Sequence, residues 1–166
     1  VGALELSTGQ EELCFITSDA QLLHFSAELV RPQGRSGGGI AGIRLSAGAL
    51  VTSFTAFETE DAVVVTVSGS AAALAGTDSG AVKVTPFTEY PAKGRSTGGV
   101  RCHRFLKGED ALLFAWAGPG PAMAAAASGS PVELPAAEGR RDGSGTPAVQ
   151  AISACAAPIT GQTMGK

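Results

Sequence analysis

The sequence predicts an all-β fold, and three observations lead to this fold class. Glycine is abundant at 23 of 166 residues, and there are 9 prolines, which is typical of short strands joined by tight turns. Runs of Leu, Glu and Lys with helical spacing are scarce. The chain also repeats itself, which favours several small sheets.

The repeat is clearest at two glycine-rich turns that carry an arginine. GRSGGGI at 34–40 returns as GRSTGGV at 94–100, 60 residues later. The match continues without a gap, so that Arg44 falls on Arg104. A third, degenerate copy, GRRDGSG, begins at Gly139. We call these the first, second and third Gly-Arg turns.

Three copies of one pattern predict three units of similar structure within one domain. Unit 1 spans residues 1–60, unit 2 spans 61–118, and a degenerate unit 3 spans 119–158, followed by a tail at 159–166. Small sheets in series must bury their faces against one another, which favours a propeller-like array. Three units are few for a closed ring, so we expect an open arc or further units in a longer parent chain.

Four strands are expected in each of the first two units. In unit 1 they are Leu13–Thr17, Gln21–Phe25, Ile40–Leu45 and Leu50–Phe57, with turns at Ser18–Ala20 and Ser46–Gly48. In unit 2 they are Ala62–Val67, Ala81–Thr85, Val100–Phe105 and Ala111–Ala115, with an insert around Ser68–Gly80. The alanine-rich stretch Ala122–Ala127 is expected to be a weak strand or a loop, because of its Gly and Pro neighbours.

The charge is unevenly distributed along the chain. The net charge of −3 argues weakly against a nucleic-acid partner. However, the interval 81–107 holds six basic residues and one acidic residue, Glu89. Eleven of the twelve Lys and Arg residues lie near a Gly-Arg turn: Arg31, Arg35, Arg44, Lys83, Lys93, Arg95, Arg101, Arg104, Lys107, Arg140 and Arg141.

Repeat geometry should place equivalent turns at equivalent positions, and so create a basic stripe on an acidic body. Such a stripe fits the phosphate backbone of double-stranded DNA, and glycine-rich turns allow close approach. The plainer interpretation is that the glycines only form tight turns and the arginines pair with local carboxylates. Repetition of the feature favours the DNA interpretation. A protein-interaction module that docks an acidic partner is the alternative.

These residues resemble a known family. The segment 11–18, EELCFITS, followed by Glu28-Leu29, by the first Gly-Arg turn and by Ile43-Arg44-Leu45, is similar to one blade of a β-pinwheel domain. This is the C-terminal domain of the A subunit of bacterial type IIA topoisomerases, DNA gyrase and topoisomerase IV. The stretch with Glu89-Tyr90 and the second Gly-Arg turn resembles the next blade.

The resemblance implies a domain that binds and bends DNA around a basic rim, while strand passage is carried out by a B (ATPase) subunit together with other domains of the A subunit. Gyrase also has a Gln-Arg-Arg-Gly-Gly-Lys-Gly box. The stretch aligned with that box here is Gln33, Gly34, Arg35, Ser36, Gly37, Gly38 and Gly39. Four of its seven positions agree, and one of the two Arg residues and the Lys are missing, which favours a parent protein like topoisomerase IV over a gyrase.

No catalytic residue, metal ligand or cofactor site is predicted for this fragment. The GxGxxG match at 37–42 is followed by strand-like sequence instead of a helix. Cys102 and His103 are neighbours on an expected strand and so face opposite sides. His24 is read as an ordinary strand residue, and Tyr90 as a packing residue.

The remaining features concern the surroundings of the protein. Cys14, Cys102 and Cys155 are widely spaced and odd in number, which fits a reducing compartment. No stretch reaches about 18 apolar residues, and no signal peptide is recognised, so a membrane location is not expected. We expect a cytoplasmic, nucleoid-associated protein. The missing initiator Met indicates a piece of a longer polypeptide.

Overall fold

The computed structural model describes residues 4–73 and 77–158. Its regular elements are eleven strands and two short 3-10 turns, Ala27–Leu29 and Phe87–Glu89. The predicted all-β fold is therefore confirmed. The strands are β1 Glu12–Thr17, β2 Gln21–Ser26, β3 Val51–Phe57, β4 Ala62–Gly69, β5 Ala81–Pro86, β6 Val100–Arg101, β7 Ala111–Pro119, β8 Met123–Ala125, β9 Pro131–Val132, β10 Thr146–Pro147 and β11 Ala154–Ala156.

The strands form three antiparallel sheets. Sheet A has the order β3-β1-β2-β6, sheet B has the order β10-β5-β4-β7, and sheet C has the order β11-β8-β9. In each sheet the first strand of a unit lies in the interior and pairs with two later strands of the same unit. The sheets thus repeat one pattern, in agreement with the repeat in the sequence.

The fourth strand of sheets A and B comes from the following unit. β6 of unit 2 pairs with β2 of unit 1, with Val100 opposite Leu22. β10 of unit 3 pairs with β5 of unit 2, with Thr146 opposite Val82. Sheets A and B are therefore each completed by a strand that lies far away in sequence. The ranges given for the three units remain divisions of the sequence, and the sheets cross them.

Two predicted strands differ in the structure. Ile40–Leu45 is not a strand, and of Val100–Phe105 only Val100–Arg101 is one. The prediction of a strand at Ile40–Leu45 was wrong because a strand requires a neighbouring strand to satisfy its backbone. This segment contacts the second Gly-Arg turn instead. The weak strand in Ala122–Ala127 is confirmed as β8.

Side-chain packing between the sheets forms the core. One cluster joins sheets A and B through Cys14, Ile16 and Leu22 on one side and Val64 and Ala117 on the other. A second cluster joins sheet B to sheet C and includes residues of β4, β5 and β8. Because sheet B lies between the other two, every residue of β4 is buried. This explains its uninterrupted run AVVVTV, which is typical of a strand covered on both faces.

Candidate nucleic-acid interface

The second Gly-Arg turn lies against residues 41–44 of unit 1. The backbone N–H of Ser96 donates to the Gly42 carbonyl at 2.6 Å, and the N–H of Arg44 donates to the Thr97 carbonyl at 3.0 Å. The guanidinium of Arg95 donates to the Ala41 carbonyl at 3.0 Å. Gly42 has to be small here, because an added Cβ would lie 2.7 Å from the ring of Phe15.

The third Gly-Arg turn contacts unit 2 in the same way. The N–H of Arg104, which is equivalent to Arg44, donates to the Gly143 carbonyl at 3.0 Å. The guanidinium of Arg141 donates to the Arg101 carbonyl at 3.3 Å. A turn of one unit is thus placed beside an arginine-bearing segment of the unit before it. This contact brings basic residues of different units together.

Most of the predicted DNA-contacting residues are exposed. Arg141 is half-buried and Lys83 is buried, whereas the other nine are exposed. Arg31 and Arg35 lie in the loop that contains the first Gly-Arg turn, and Lys107 lies in the turn before β7. The side chains of these three make no hydrogen bond or ion pair within residues 4–73 and 77–158. Nine basic side chains are therefore accessible to a ligand.

Few of these charges are neutralised by the protein itself. Among the described residues, Arg140 is the only Lys or Arg in an ion pair with a carboxylate, and its Nε lies 3.4 Å from Asp142 Oδ1. Both side chains are well exposed, so this pair contributes little. The alternative in which the arginines generally pair with local carboxylates is thus not supported by the ion pairs in the structure.

Arg101 and Arg104 are both exposed, which strict strand alternation does not allow. The reason is that β6 ends at Arg101, so the alternation stops there. The two intervening residues, Cys102 and His103, are both buried. Arg101 and Arg104 line one cavity of about 260 Å³ that also includes Asp19.

A second cavity lies where units 2 and 3 meet. It has a volume of about 460 Å³, and its lining includes Lys83, Arg104, Arg140 and Ser144. Glu138 also lines this cavity and partly offsets its positive charge. The structure therefore brings Lys83 and Arg104 of unit 2 together with Arg140 of the degenerate unit 3.

Lys83 differs from the other basic residues, because only 7% of it is exposed. Its Nζ donates to the carbonyl of Arg140 at 3.2 Å and also to the carbonyl of Arg141. Burial lowers the pKa of Lys83 to about 8. Lys83 is among the residues predicted from the sequence to contact phosphate. In the structure its ammonium group instead bonds to the backbone of the third Gly-Arg turn.

His103 has a structural role that was not predicted from the sequence. Its Nδ1 lies 2.9 Å from Thr66 Oγ1, and its Nε2 accepts the N–H of Gly145 at 3.2 Å. Burial, with Lys83 nearby, lowers the pKa of His103 to about 4, so the ring is neutral at pH 7. The repeat contains a signal for this role, because the position of unit 1 that matches His103 is the apolar Ile43, and a polar side chain at an apolar position indicates a specific contact.

The candidate reactive residues are packed inside the protein. Burial raises the pKa of the Cys102 thiol to about 12, and no hydrogen bond joins it to the imidazole of His103 among the described residues. Tyr90 is 4% exposed and packs near Phe87, and burial raises its pKa above its usual value. His24 contacts Glu12 at 2.6 Å and the Tyr90 carbonyl at 3.0 Å. The contacts of Cys102, Tyr90 and His24 are therefore typical of residues with a structural role.

Every residue of the stretch aligned with the gyrase box, from Gln33 to Gly39, is exposed. Its backbone is closed by a bond from the Gly37 N–H to the Gly34 carbonyl at 2.9 Å. Within the described parts of the chain, no group of three or more His, Cys, Asp or Glu residues could hold a metal ion. No helix in those parts is long and apolar enough to cross a membrane.

Comparison with known proteins gives consistent matches. Residues 11–57 and 73–115 match the family model described as DNA gyrase C-terminal domain, beta-propeller. The chain is 36% identical over 103 residues to the topoisomerase subunit TopoM of Mycolicibacterium smegmatis, covering 62% of this chain and 13% of that protein. It is 34% identical over 101 residues to the A subunit of DNA gyrase from Staphylococcus epidermidis (strain ATCC 12228), covering 60% and 10%.

Solved structures share the fold at low sequence identity. The C-terminal domain of DNA topoisomerase IV matches with a TM-score of 0.66 and 19% identity, over 89% of this chain and 44% of that one. The Escherichia coli ParC C-terminal domain matches with a TM-score of 0.65 and 16% identity, over 90% and 61%. The chain spans about a tenth of the length of the curated relatives it matches.

Proposed function

The chain belongs to the family of DNA gyrase C-terminal beta-propeller domains, and we propose that it binds duplex DNA for the A subunit of a type IIA topoisomerase. In this role it contacts the phosphate backbone and bends the duplex, so that other domains can pass one segment through another. The proposed protein partners are the remainder of the A subunit, to which the domain is joined, together with a B (ATPase) subunit. The proposed location is the cytoplasm, at the nucleoid.

The observation that carries this proposal is the set of exposed basic side chains where consecutive units meet. Arg44 and Arg95 lie at the contact between units 1 and 2, and Arg104 and Arg140 lie at the contact between units 2 and 3. Exposed positive charge favours binding to a polyanion through release of the counterions of DNA.

The residues at these contacts favour binding without sequence preference. Glycine-rich turns and arginines suit phosphate oxygens, whereas reading of base edges in the major groove uses a helix or a β-ribbon that fits into it. The described residues contain no α-helix, and the basic residues lie mainly in turns and at strand ends. We therefore propose that the phosphate backbone dominates the interaction.

The departures from the gyrase box favour a parent protein like topoisomerase IV. The stretch aligned with the box keeps its Gln, two of its three glycines and one of its two Arg residues, Arg35, but lacks the other Arg and the Lys. Fewer cations at this turn should weaken wrapping of DNA around the domain. On this proposal, the parent relaxes or unlinks DNA more readily than it introduces negative supercoils.

Salt dependence of binding tests the proposal. The purified chain is titrated with a duplex of mixed sequence at several salt concentrations in a filter-binding assay. Five to eight phosphate contacts would give a slope of roughly −4 to −7 for log K against log salt. Duplexes of different sequence should give the same affinity. A slope near zero would contradict DNA binding.

Competition distinguishes DNA from an acidic protein partner. Unlabelled duplex should displace the labelled duplex at a lower charge concentration than poly-glutamate does, because a duplex presents phosphates at a spacing that the polypeptide lacks. More efficient displacement by poly-glutamate would favour the protein-interaction function.

The proposal also assigns no chemistry to this domain, and requires no metal or cofactor in it. The purified chain should therefore leave a supercoiled plasmid unrelaxed and uncut, with or without Mg²⁺ and ATP. Relaxation or cleavage that copurifies with the chain and disappears in a Tyr90→Phe variant would contradict it.

A further inference from the structure

The third Gly-Arg turn is held in place by two buried side chains of unit 2. We propose that Lys83 and His103 are positioning residues that fix this turn, and with it Arg140 and Arg141, for contact with DNA phosphates. The proposal rests on the DNA-binding function proposed above. Neither residue touches DNA itself, because both are buried.

Lys83 holds the arginine end of the turn. It extends from β5, and its Nζ donates to the carbonyls of Arg140 and Arg141. These two carbonyls belong to the residues whose side chains are the cations of the turn. The orientation of both arginines therefore depends on the backbone that Lys83 fixes. Placing a lysine at 7% exposure is costly, and these bonds offset that cost.

His103 holds the opposite end of the turn. Its Nε2 accepts the N–H of Gly145, so its Nδ1 carries the proton and donates to Thr66 Oγ1. Thr66 lies in β4 and is fully buried, which fixes the imidazole ring on the central strand of sheet B. The turn is thus attached at both ends to the most buried part of the protein.

The second Gly-Arg turn lacks this arrangement, which provides an internal comparison. The positions of unit 1 that match Lys83 and His103 in the 60-residue repeat are Leu23 and Ile43, and both are apolar. That turn is held by its own Arg95 and Ser96, which donate to the Ala41 carbonyl. The third turn has lost the consecutive glycines of the other two copies and has gained two polar contacts from unit 2 instead.

Hydrogen exchange measured by NMR tests the positioning step without DNA. In Lys83→Met and His103→Leu variants, the amide protons of Gly145 and Arg104 should exchange about tenfold faster than in the wild type, because each variant removes bonds worth about that factor. The amide of Cys102, which bonds to the Ala20 carbonyl, serves as an internal reference and should be unchanged.

Two matched variants separate positioning from charge and from folding. His103→Gln keeps an acceptor for Gly145 and a donor for Thr66, so it should restore slow exchange. Lys93→Met removes an exposed lysine of the same unit. It should lower the salt slope of DNA binding by about one while leaving the exchange of Gly145 unchanged.

DNA binding tests the second step. Loss of both turn arginines as phosphate contacts should lower the salt slope by up to about two in Lys83→Met, although Lys83 itself is not a contact. Fast exchange at Gly145 with an unchanged slope would overturn the proposal. Unchanged exchange in both Lys83→Met and His103→Leu would also overturn it. A wild-type protein that fails to bind DNA would overturn the proposed function, whatever the exchange rates.

Discussion

The backbone N–H of Arg44 donates to the carbonyl oxygen of Thr97 at 3.0 Å, across the contact between units 1 and 2. The equivalent bond, from Arg104 to Gly143, has the same length and crosses the contact between units 2 and 3. The position of each arginine is therefore coupled to the turn of the next unit. Both the stability of the domain and its binding of DNA should depend on these contacts.

Gly99, near the end of the second Gly-Arg turn, allows β6 of unit 2 to approach β2 of unit 1. Gly99 has φ +76°, and an added Cβ would lie 2.3 Å from the Leu22 carbonyl oxygen. The equivalent Gly39 has φ +86° but open space around it. Gly99→Ala should lower the free energy of unfolding by more than about 3 kcal/mol, and Gly39→Ala by about 1 kcal/mol. Urea unfolding measures both, and equal losses would contradict the close approach of β6 to β2.

Arg101 and Arg104 should contribute to DNA binding about equally. Each is exposed and without an ion pair among the described residues, so Arg101→Ala and Arg104→Ala should each lower the salt slope by about 0.9. The guanidinium of Arg95 already bonds to Ala41, so Arg95→Ala should have a smaller effect on the slope. Gln150→Ala, at another exposed position, serves as the control. Unchanged slopes in all three arginine variants, with intact circular dichroism spectra, would favour a protein partner.

His103 should make the domain less stable in mild acid. The pKa of His103 is about 4 in the fold against an ordinary value of 6.5, so the unfolded chain binds more protons between these values. Stability should therefore fall as the pH decreases from 6.5 to 4, by roughly 1 to 3 kcal/mol. In His103→Gln this part of the pH dependence should disappear. An identical pH profile in the two proteins, from urea unfolding at each pH, would contradict a buried neutral imidazole.

Glu11 should stabilise the start of sheet A through its charged form. Its carboxylate accepts the backbone N–H groups of Thr8, Ser7 and Gly9 at 2.6 to 2.9 Å. The bond from Thr8 contributes most, followed by the backbone N–H of Glu11 itself, and together with the bonds from Ser7 and Gly9 they lower the pKa of Glu11 from 4.5 to about 2. The stabilisation is present above pH 4.5 and is lost as the pH falls to 2. Glu11→Gln should lower stability at pH 7 and flatten the acid limb of the profile, whereas an unchanged melting temperature would rule this contact out.

The sequence was sufficient to locate most strands of the first two units but not to predict which strands pair. Alternation and turn residues located β1, β2, β4 and β5 within about two residues, because these signals are local. The pairing of Leu22 with Val100 is not local, and neither segment contains a sequence signal that identifies the other as its partner. Ile40–Leu45 was predicted as a strand because its residues match those of Val100–Phe105. Among the described residues, however, it pairs with no sheet edge.

For the candidate site, the sequence predicted which residues are basic and near a Gly-Arg turn, but not the burial of each. Lys83 lies in an alternating strand, where a lysine is expected to be exposed. It is buried because the third turn covers it, and that turn comes from residues more than fifty positions away. The exposure of both Arg101 and Arg104 likewise depends on where β6 ends. β6 ends at Arg101 because this residue pairs with Gln21, the first residue of β2.

The exchange of strands between units also constrains the order in which the protein can fold during synthesis. Sheet A lacks its fourth strand until Val100 has left the ribosome, 78 residues after its partner Leu22. Pairings this distant in sequence slow folding, because the intervening loop must close first. Until then the edge of β2 presents free backbone groups that can pair with other nascent chains. Sheet B likewise has an unpaired edge at β5 until Thr146 has been synthesised. The protein should therefore aggregate most readily when synthesis pauses between the last strand of one unit and the Gly-Arg turn of the next.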